Sequence, residues 1–108
     1  MLGIQVAALG ELLGAAERMG LDRRRAGEVL IEMPSCSASA KAVTQAMLAR
    51  NFAPAFPVEL VEKDLGYLAD ETPPDAAPVS AAARAVFARA IAAGLAADNM
   101  TAVAKLYE

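Results

Sequence analysis

The sequence predicts an all-α fold, a six-helix bundle-like domain with a long, mostly buried first helix. Alanine supplies about a quarter of the 108 residues, and aromatic residues supply 5%. This composition favours closely packed helices over strands. Apolar residues recur at spacings of three and four, whereas no alternating strand pattern of useful length occurs. A chain of this length fits one domain, and we expect residues 1–108 to form it.

The first helix is predicted to carry apolar residues on two sides. Gly10 and Gly14, four residues apart, predict a close crossing with another helix, and Gly20 ends the helix. Glu11 interrupts the apolar surface, so we expect it to bond to the start of a neighbouring helix or to a basic partner. One apolar face contains Leu2, Val6, Leu9, Leu13 and Ala16, and the other contains Ile4, Ala8, Leu12 and Ala15.

Capping residues define the second and third helices. Asp22 is a good N-cap for the second helix, which ends before a break at residues 34–37. Either Ser37 or Ser39 then caps a third helix, which we expect to continue to Arg50.

An extended connection at residues 51–57 leads into a fourth helix, predicted from about Val58 to Ala69. Its core stripe is expected to contain Val61, Leu65 and Leu68. The proline-rich stretch 71–78 is a loop.

The fifth helix is predicted to bury a stripe that begins at Val79 and to end at Gly94. Its other stripe members are Ala83, Val86 and Ala90. A short last helix, capped by Asp98 or Asn99, reaches Tyr107.

Charge and composition exclude several functions. A net charge of −3 with pI near 4.9 argues against nucleic acid as a partner, because phosphate binding needs clustered Lys and Arg. The absence of histidine and the single cysteine leave no His- or Cys-based metal site and no Cys–His or Ser–His catalytic pair. No signal peptide or membrane span is predicted, so we expect a cytoplasmic protein.

Lys63 is the strongest candidate for a binding residue. On a helical wheel it lies opposite the core stripe, beside Phe56, Leu60 and Tyr67. An ammonium among apolar side chains can be offered to an anion in a cleft. The alternative is a surface lysine balanced by its two flanking carboxylates. Because the first and fourth helices are both apolar on two sides, we also predict contact with another copy or another domain.

Four segments together resemble one known family. They are Asn51-Phe-x-Pro-x-Phe56 with Glu62-Lys-Asp-Leu65, the stretch 7–22 ending in Gly-Leu-Asp, Glu28-Val-Leu30 before a Ser-rich break, and residues 92–107. In this order they resemble the C-terminal helical domain of the β-hydroxyacid dehydrogenases, the 3-hydroxyisobutyrate dehydrogenase group related to 6-phosphogluconate dehydrogenase. The resemblance covers essentially the whole chain.

The resemblance implies an NAD- or NADP-dependent enzyme acting on a small 3-hydroxy acid. In such an enzyme an N-terminal Rossmann domain binds the cofactor and this domain completes the substrate cleft. Lys63 would then contact the cofactor, Phe56 would line the cleft wall, and Asp64 would help to hold the helix. A homodimer through the helical domains is also implied.

The family's catalytic lysine, in a Lys-x-x-x-Asn pattern, is expected upstream of Met1, and so is the Rossmann domain. We therefore expect no catalytic residue, no metal, no tightly bound cofactor and no dehydrogenase activity in this chain by itself. The alternative is a free-standing, non-catalytic helical module for dimerisation or partner binding.

Overall fold

Six helices and no strand make up the computed structural model, which describes residues 1–108. The all-α prediction is confirmed, and each helix begins and ends within about two residues of its predicted bounds. The elements are α1 (Leu2–Arg18), α2 (Arg23–Glu32), α3 (Ala38–Leu48), α4 (Val58–Glu71), α5 (Pro78–Ala92) and a last helix of the tighter 3-10 type (Met100–Tyr107).

The helix boundaries follow from local chemistry. Asp22 accepts a hydrogen bond from the amide three residues on, at 2.8 Å, and so caps α2. Ser37 caps α3 in the same way, at 3.1 Å. Gly20 and Gly94 follow α1 and α5 with φ of 81° and 85°, a backbone conformation that glycine adopts without strain.

The core forms where α1 crosses the last helix. A Cβ built on Gly14 would lie 2.4 Å from Cβ of Tyr107, and one built on Gly10 would lie 3.4 Å from the backbone of Ala104. The predicted close crossing is therefore confirmed, and the last helix is the partner. The buried cluster comprises Val6, Ala7, Leu13, Val43, Met47, Val58, Val61, Ala83, Phe87, Ala90, Ala102, Val103 and Ala104.

Two residues were wrongly predicted to lie in the core. Leu68 is 41% exposed and Val79 is 64% exposed, whereas Phe87, outside the predicted stripe, is fully buried. Leu68 lies near the end of α4. It lines an open pocket together with the start of α5 and the loop that joins these two helices. A helical wheel identifies a face but not where the neighbouring helix ends.

The first helix has one buried and one exposed apolar face in this chain. Val6 and Leu13 of the first face are buried, whereas Ala8, Leu12 and Ala15 of the other face are exposed. Glu11 is exposed and forms no side-chain hydrogen bond or ion pair, so its predicted bond to a neighbouring helix was wrong.

None of the helices has the length and apolar character needed to cross a lipid bilayer.

Candidate functional site

Backbone hydrogen bonds to the last helix region fix the segment that precedes α4. The amide of Asn99 donates to the carbonyl of Phe52 at 3.0 Å, and the amide of Met100 donates to that of Phe56 at 2.8 Å. The amide of Val58 donates to the carbonyl of Asp98 at 2.9 Å. The start of α4 is thereby tied to the C-terminal part of the core.

The Asn99 side chain adds contacts that the sequence did not predict. It stands at the N-cap position, as expected, but makes no capping hydrogen bond to the last helix. Its Oδ1 instead accepts from the amides of Ala55 at 3.2 Å and Phe56 at 2.9 Å. Its Nδ2 donates to Oγ1 of Thr101 at 2.9 Å, and that hydroxyl donates to the carbonyl of Asn51 at 3.1 Å.

The helix face around Lys63 is apolar and open to solvent. Phe56 is 40%, Leu60 42% and Tyr67 56% exposed, and Lys63 is exposed among them. We call these four residues the lysine face. Large apolar side chains grouped on one exposed surface are typical of a binding surface.

Lys63 has no ion-pair partner, because neither flanking carboxylate lies within ion-pair distance of its ammonium. Glu62 is held by Arg84 instead, whose Nε lies 2.8 Å from Oε1. Asp64 is exposed and forms no ion pair. Lys63 is therefore a surface lysine without an ion pair, and both interpretations of it remain predictions.

A cavity of about 290 Å³ lies beside the lysine face, at the start of α1. It brings together two of the three predicted site residues, Phe56 and Asp64, whereas Lys63 is not among its lining residues. The other lining residues are Met1, Leu2, Gly3, Val61, Leu65 and Met100. The cavity therefore has one carboxylate in a mostly apolar wall.

A second exposed apolar surface lies between α1 and α2. Leu12, Leu21 and Val29 are each more than half exposed and line a groove of about 360 Å³. We call this surface the α1–α2 groove. It does not share a residue with the cavity or the lysine face.

The charged group that this face offers to a ligand is the ammonium of Lys63. No group of three or more His, Cys, Asp or Glu side chains is placed to hold a metal ion. Lys63 offers an unpaired cation, and a lysine ammonium contacts phosphate groups as a point charge.

The fold defines an all-helical domain with one lysine-bearing apolar face. The structure is similar to the helical domain of a solved 3-hydroxyisobutyrate dehydrogenase from Salmonella typhimurium, with a TM-score of 0.84 and 26% sequence identity. The match covers 97% of this chain but 38% of that enzyme. The chain thus spans less than half the length of the solved relative. No curated protein matches the chain.

A family model described as "NAD-binding of NADP-dependent 3-hydroxyisobutyrate dehydrogenase" matches residues 1–107. The chain belongs to this family. The resemblance found in the sequence is thereby confirmed for the family and for the helical fold, while the roles of individual residues remain predictions.

Proposed function

We propose that this chain is the cofactor- and substrate-cleft domain of an NAD(P)-dependent 3-hydroxyacid dehydrogenase. It acts together with a nucleotide-binding Rossmann domain and carries no dehydrogenase activity by itself. The observation that carries the proposal is the unpaired Lys63 on an exposed apolar helix face, in a chain of this family.

Lys63 fits a role in holding the cofactor. NAD and NADP both present phosphate groups, and a lysine that forms no ion pair within the chain can meet one. The ion pair between Arg84 and Glu62 supports this role, because it engages one of the two carboxylates that flank Lys63. The apolar residues around it would pack on the cofactor or on the partner domain.

The cavity at the start of α1 fits the substrate side of the cleft. Phe56 supplies an apolar wall for a small hydroxy acid, and Asp64 supplies a hydrogen-bond acceptor. A nicotinamide cofactor supplies the hydride chemistry when it is bound. This chain orients the substrate, excludes water from the cleft and holds the cofactor's charged part.

The test is Lys63→Ala in the dehydrogenase formed by this domain and its Rossmann partner. A charge-assisted contact of this kind contributes roughly 1.5–3 kcal/mol, so the Kd for NADP or NAD should rise on the order of tenfold to a hundredfold. Circular dichroism should show an unchanged helical fold, since Lys63 is exposed.

Lys41→Ala is the matched control, because Lys41 is an exposed lysine on α3 and not on the lysine face. It should leave cofactor affinity unchanged. An equal cofactor Kd in wild type and Lys63→Ala would refute the role of Lys63.

We further propose that the α1–α2 groove is a homodimer interface. Supporting this, three exposed apolar residues are grouped in one groove, as is typical of partner surfaces, and they lie apart from the cleft residues. The alternative of a free-standing, non-catalytic dimerisation module would use the same groove but would not need an unpaired lysine beside a cavity.

A further inference from the structure

The segment 51–56 contains the cavity wall residue Phe56, and its contact with the hydrophobic core is made by Phe52. Ala53, Pro54, Ala55 and Phe56 are all exposed, and the segment belongs to no helix. Beyond Phe52, polar contacts to the last helix region hold residues 53–56, because the side chains of these four residues are exposed.

One side chain reaches both ends of this segment. Asn99 Oδ1 accepts the amides of Ala55 and Phe56, and its Nδ2 reaches the carbonyl of Asn51 through the Thr101 hydroxyl. Backbone amides can only donate, so the side-chain oxygen of Asn99 must face them. Its side-chain nitrogen then faces the Thr101 hydroxyl, which fixes the orientation of the amide group. Thr101 is 2% exposed, so the hydroxyl group that makes this link is buried.

We infer that Asn99 is a positioning residue for the substrate cleft: its side-chain oxygen holds Phe56 in the cavity wall. This inference rests on the proposed function for its effect on substrate. Asn99 is not among the residues that line the cavity, and it acts through the backbone of Phe56. It sets the shape of the apolar wall against which the substituent of a 3-hydroxy acid would pack.

The test compares Asn99→Ala with Asn99→Asp in the two-domain dehydrogenase. The Ala variant removes the acceptor oxygen, whereas the Asp variant keeps an acceptor and loses only the donor to Thr101. In Asn99→Ala, hydrogen-exchange protection of the Ala55 and Phe56 amides should fall roughly tenfold, the loss expected for about one hydrogen bond. The same variant should raise the KM for 3-hydroxyisobutyrate about tenfold and leave the KM for the cofactor unchanged.

Asn99→Asp should restore both amide protection and substrate KM to near the wild-type values. Thr101→Val is a second variant, which removes the link to Asn51 but keeps the oxygen of Asn99, and it should leave the Ala55 and Phe56 amides protected. Unchanged protection in Asn99→Ala, or equal losses in the Ala and Asp variants, would overturn the inference.

The same experiment separates this inference from the proposed function. A wild-type protein that does not oxidise 3-hydroxyisobutyrate or a related 3-hydroxy acid contradicts the proposed function and the substrate effect with it. Amide exchange still decides whether the Asn99 oxygen holds Phe56, since that measurement needs no turnover. Active wild type with a normal substrate KM in Asn99→Ala contradicts the positioning role alone.

Discussion

Phe56 shows why exposure separates a cleft residue from a core residue. Phe56 is 40% exposed and lines the cavity at the start of α1, whereas Phe87 is fully buried in the core. Both are large apolar side chains, so composition cannot distinguish them. Only the fold shows that Phe87 is needed for stability and that Phe56 is available to a ligand.

We predict that Phe56→Ala lowers the free energy of unfolding by about 1–2 kcal/mol, because Phe56 is already 40% exposed. Phe87→Ala is the control and should cost about 3–5 kcal/mol, since it leaves a cavity in the core. Urea unfolding of the chain followed by circular dichroism measures both. A loss of more than about 3 kcal/mol in Phe56→Ala would mean that Phe56 is a core residue.

The N-cap of α2 gives a second prediction for a single residue. Asp22→Ala removes the side-chain acceptor of the Arg25 amide and should cost about 1 kcal/mol of stability. Asp75→Ala changes an exposed loop aspartate that makes no side-chain hydrogen bond and should have no measurable effect. The comparison uses the same urea unfolding measurement, and equal values for the two variants would contradict the capping role.

At the level of the helices, the crossing of α1 and the last helix depends on the small size of two glycines. A Cβ at position 14 would meet Tyr107 at 2.4 Å and its backbone oxygen at 2.9 Å. At position 10 the nearest atoms lie at 3.4 Å, close to ordinary contact. The two positions look equivalent in the sequence but differ in the space around them.

Gly14→Ala should therefore destabilise the domain, although alanine is the better helix former by about 1 kcal/mol. The overpacked crossing should cost about 1–3 kcal/mol net. Gly10→Ala, with the same propensity gain and more room, should be close to neutral. Thermal unfolding of the two variants measures the difference, and a stabilised Gly14→Ala would contradict the observed crossing.

The helices were predictable because their signals are local. Asp22, Ser37 and Gly94 each define a boundary through their own backbone chemistry, and the structure has them where the sequence placed them. The spacing of Gly10 and Gly14 likewise predicted a close crossing, although not which helix would be the partner.

Burial was less predictable, because it depends on where neighbouring helices end. Leu68 and Val79 follow the periodicity of their helices, yet both are exposed, Leu68 near the end of α4 and Val79 at the start of α5. Lys63 could be identified from its helical wheel, but the engagement of Glu62 by Arg84, twenty-two residues away, could not. Asn99 was predicted as a cap, and its bonds to a segment more than forty residues away needed the fold.

The whole molecule has two separate exposed apolar surfaces. The lysine face and its cavity lie on α4 and the start of α1, and the α1–α2 groove lies along the second half of α1. The prediction that α1 and α4 are apolar on two sides agrees with this arrangement. Two surfaces allow two simultaneous contacts, one with a Rossmann domain and one with a second copy of the chain.

We predict that the chain forms a homodimer through the α1–α2 groove and that Leu12→Glu dissociates it. Leu12 is 51% exposed and lines the groove. In a symmetric dimer one substitution places a carboxylate on each side of the interface, and an unpaired charge buried there is strongly unfavourable. The dimer Kd, measured by sedimentation over a range of concentrations, should rise on the order of a hundredfold, equivalent to about 2.8 kcal/mol.

Leu60→Glu is the matched control, because Leu60 is 42% exposed and belongs to the lysine face. It introduces the same charge on the other apolar surface, so it should leave the dimer intact and weaken the association with the Rossmann domain. Leu12→Glu should dissociate the dimer and leave the association with the Rossmann domain unchanged. Since both side chains are exposed and lie outside the core cluster, neither variant should lose its helical fold. If Leu60→Glu dissociates the dimer and Leu12→Glu does not, the chain dimerises through the lysine face, and that face is then not free to close a cofactor cleft.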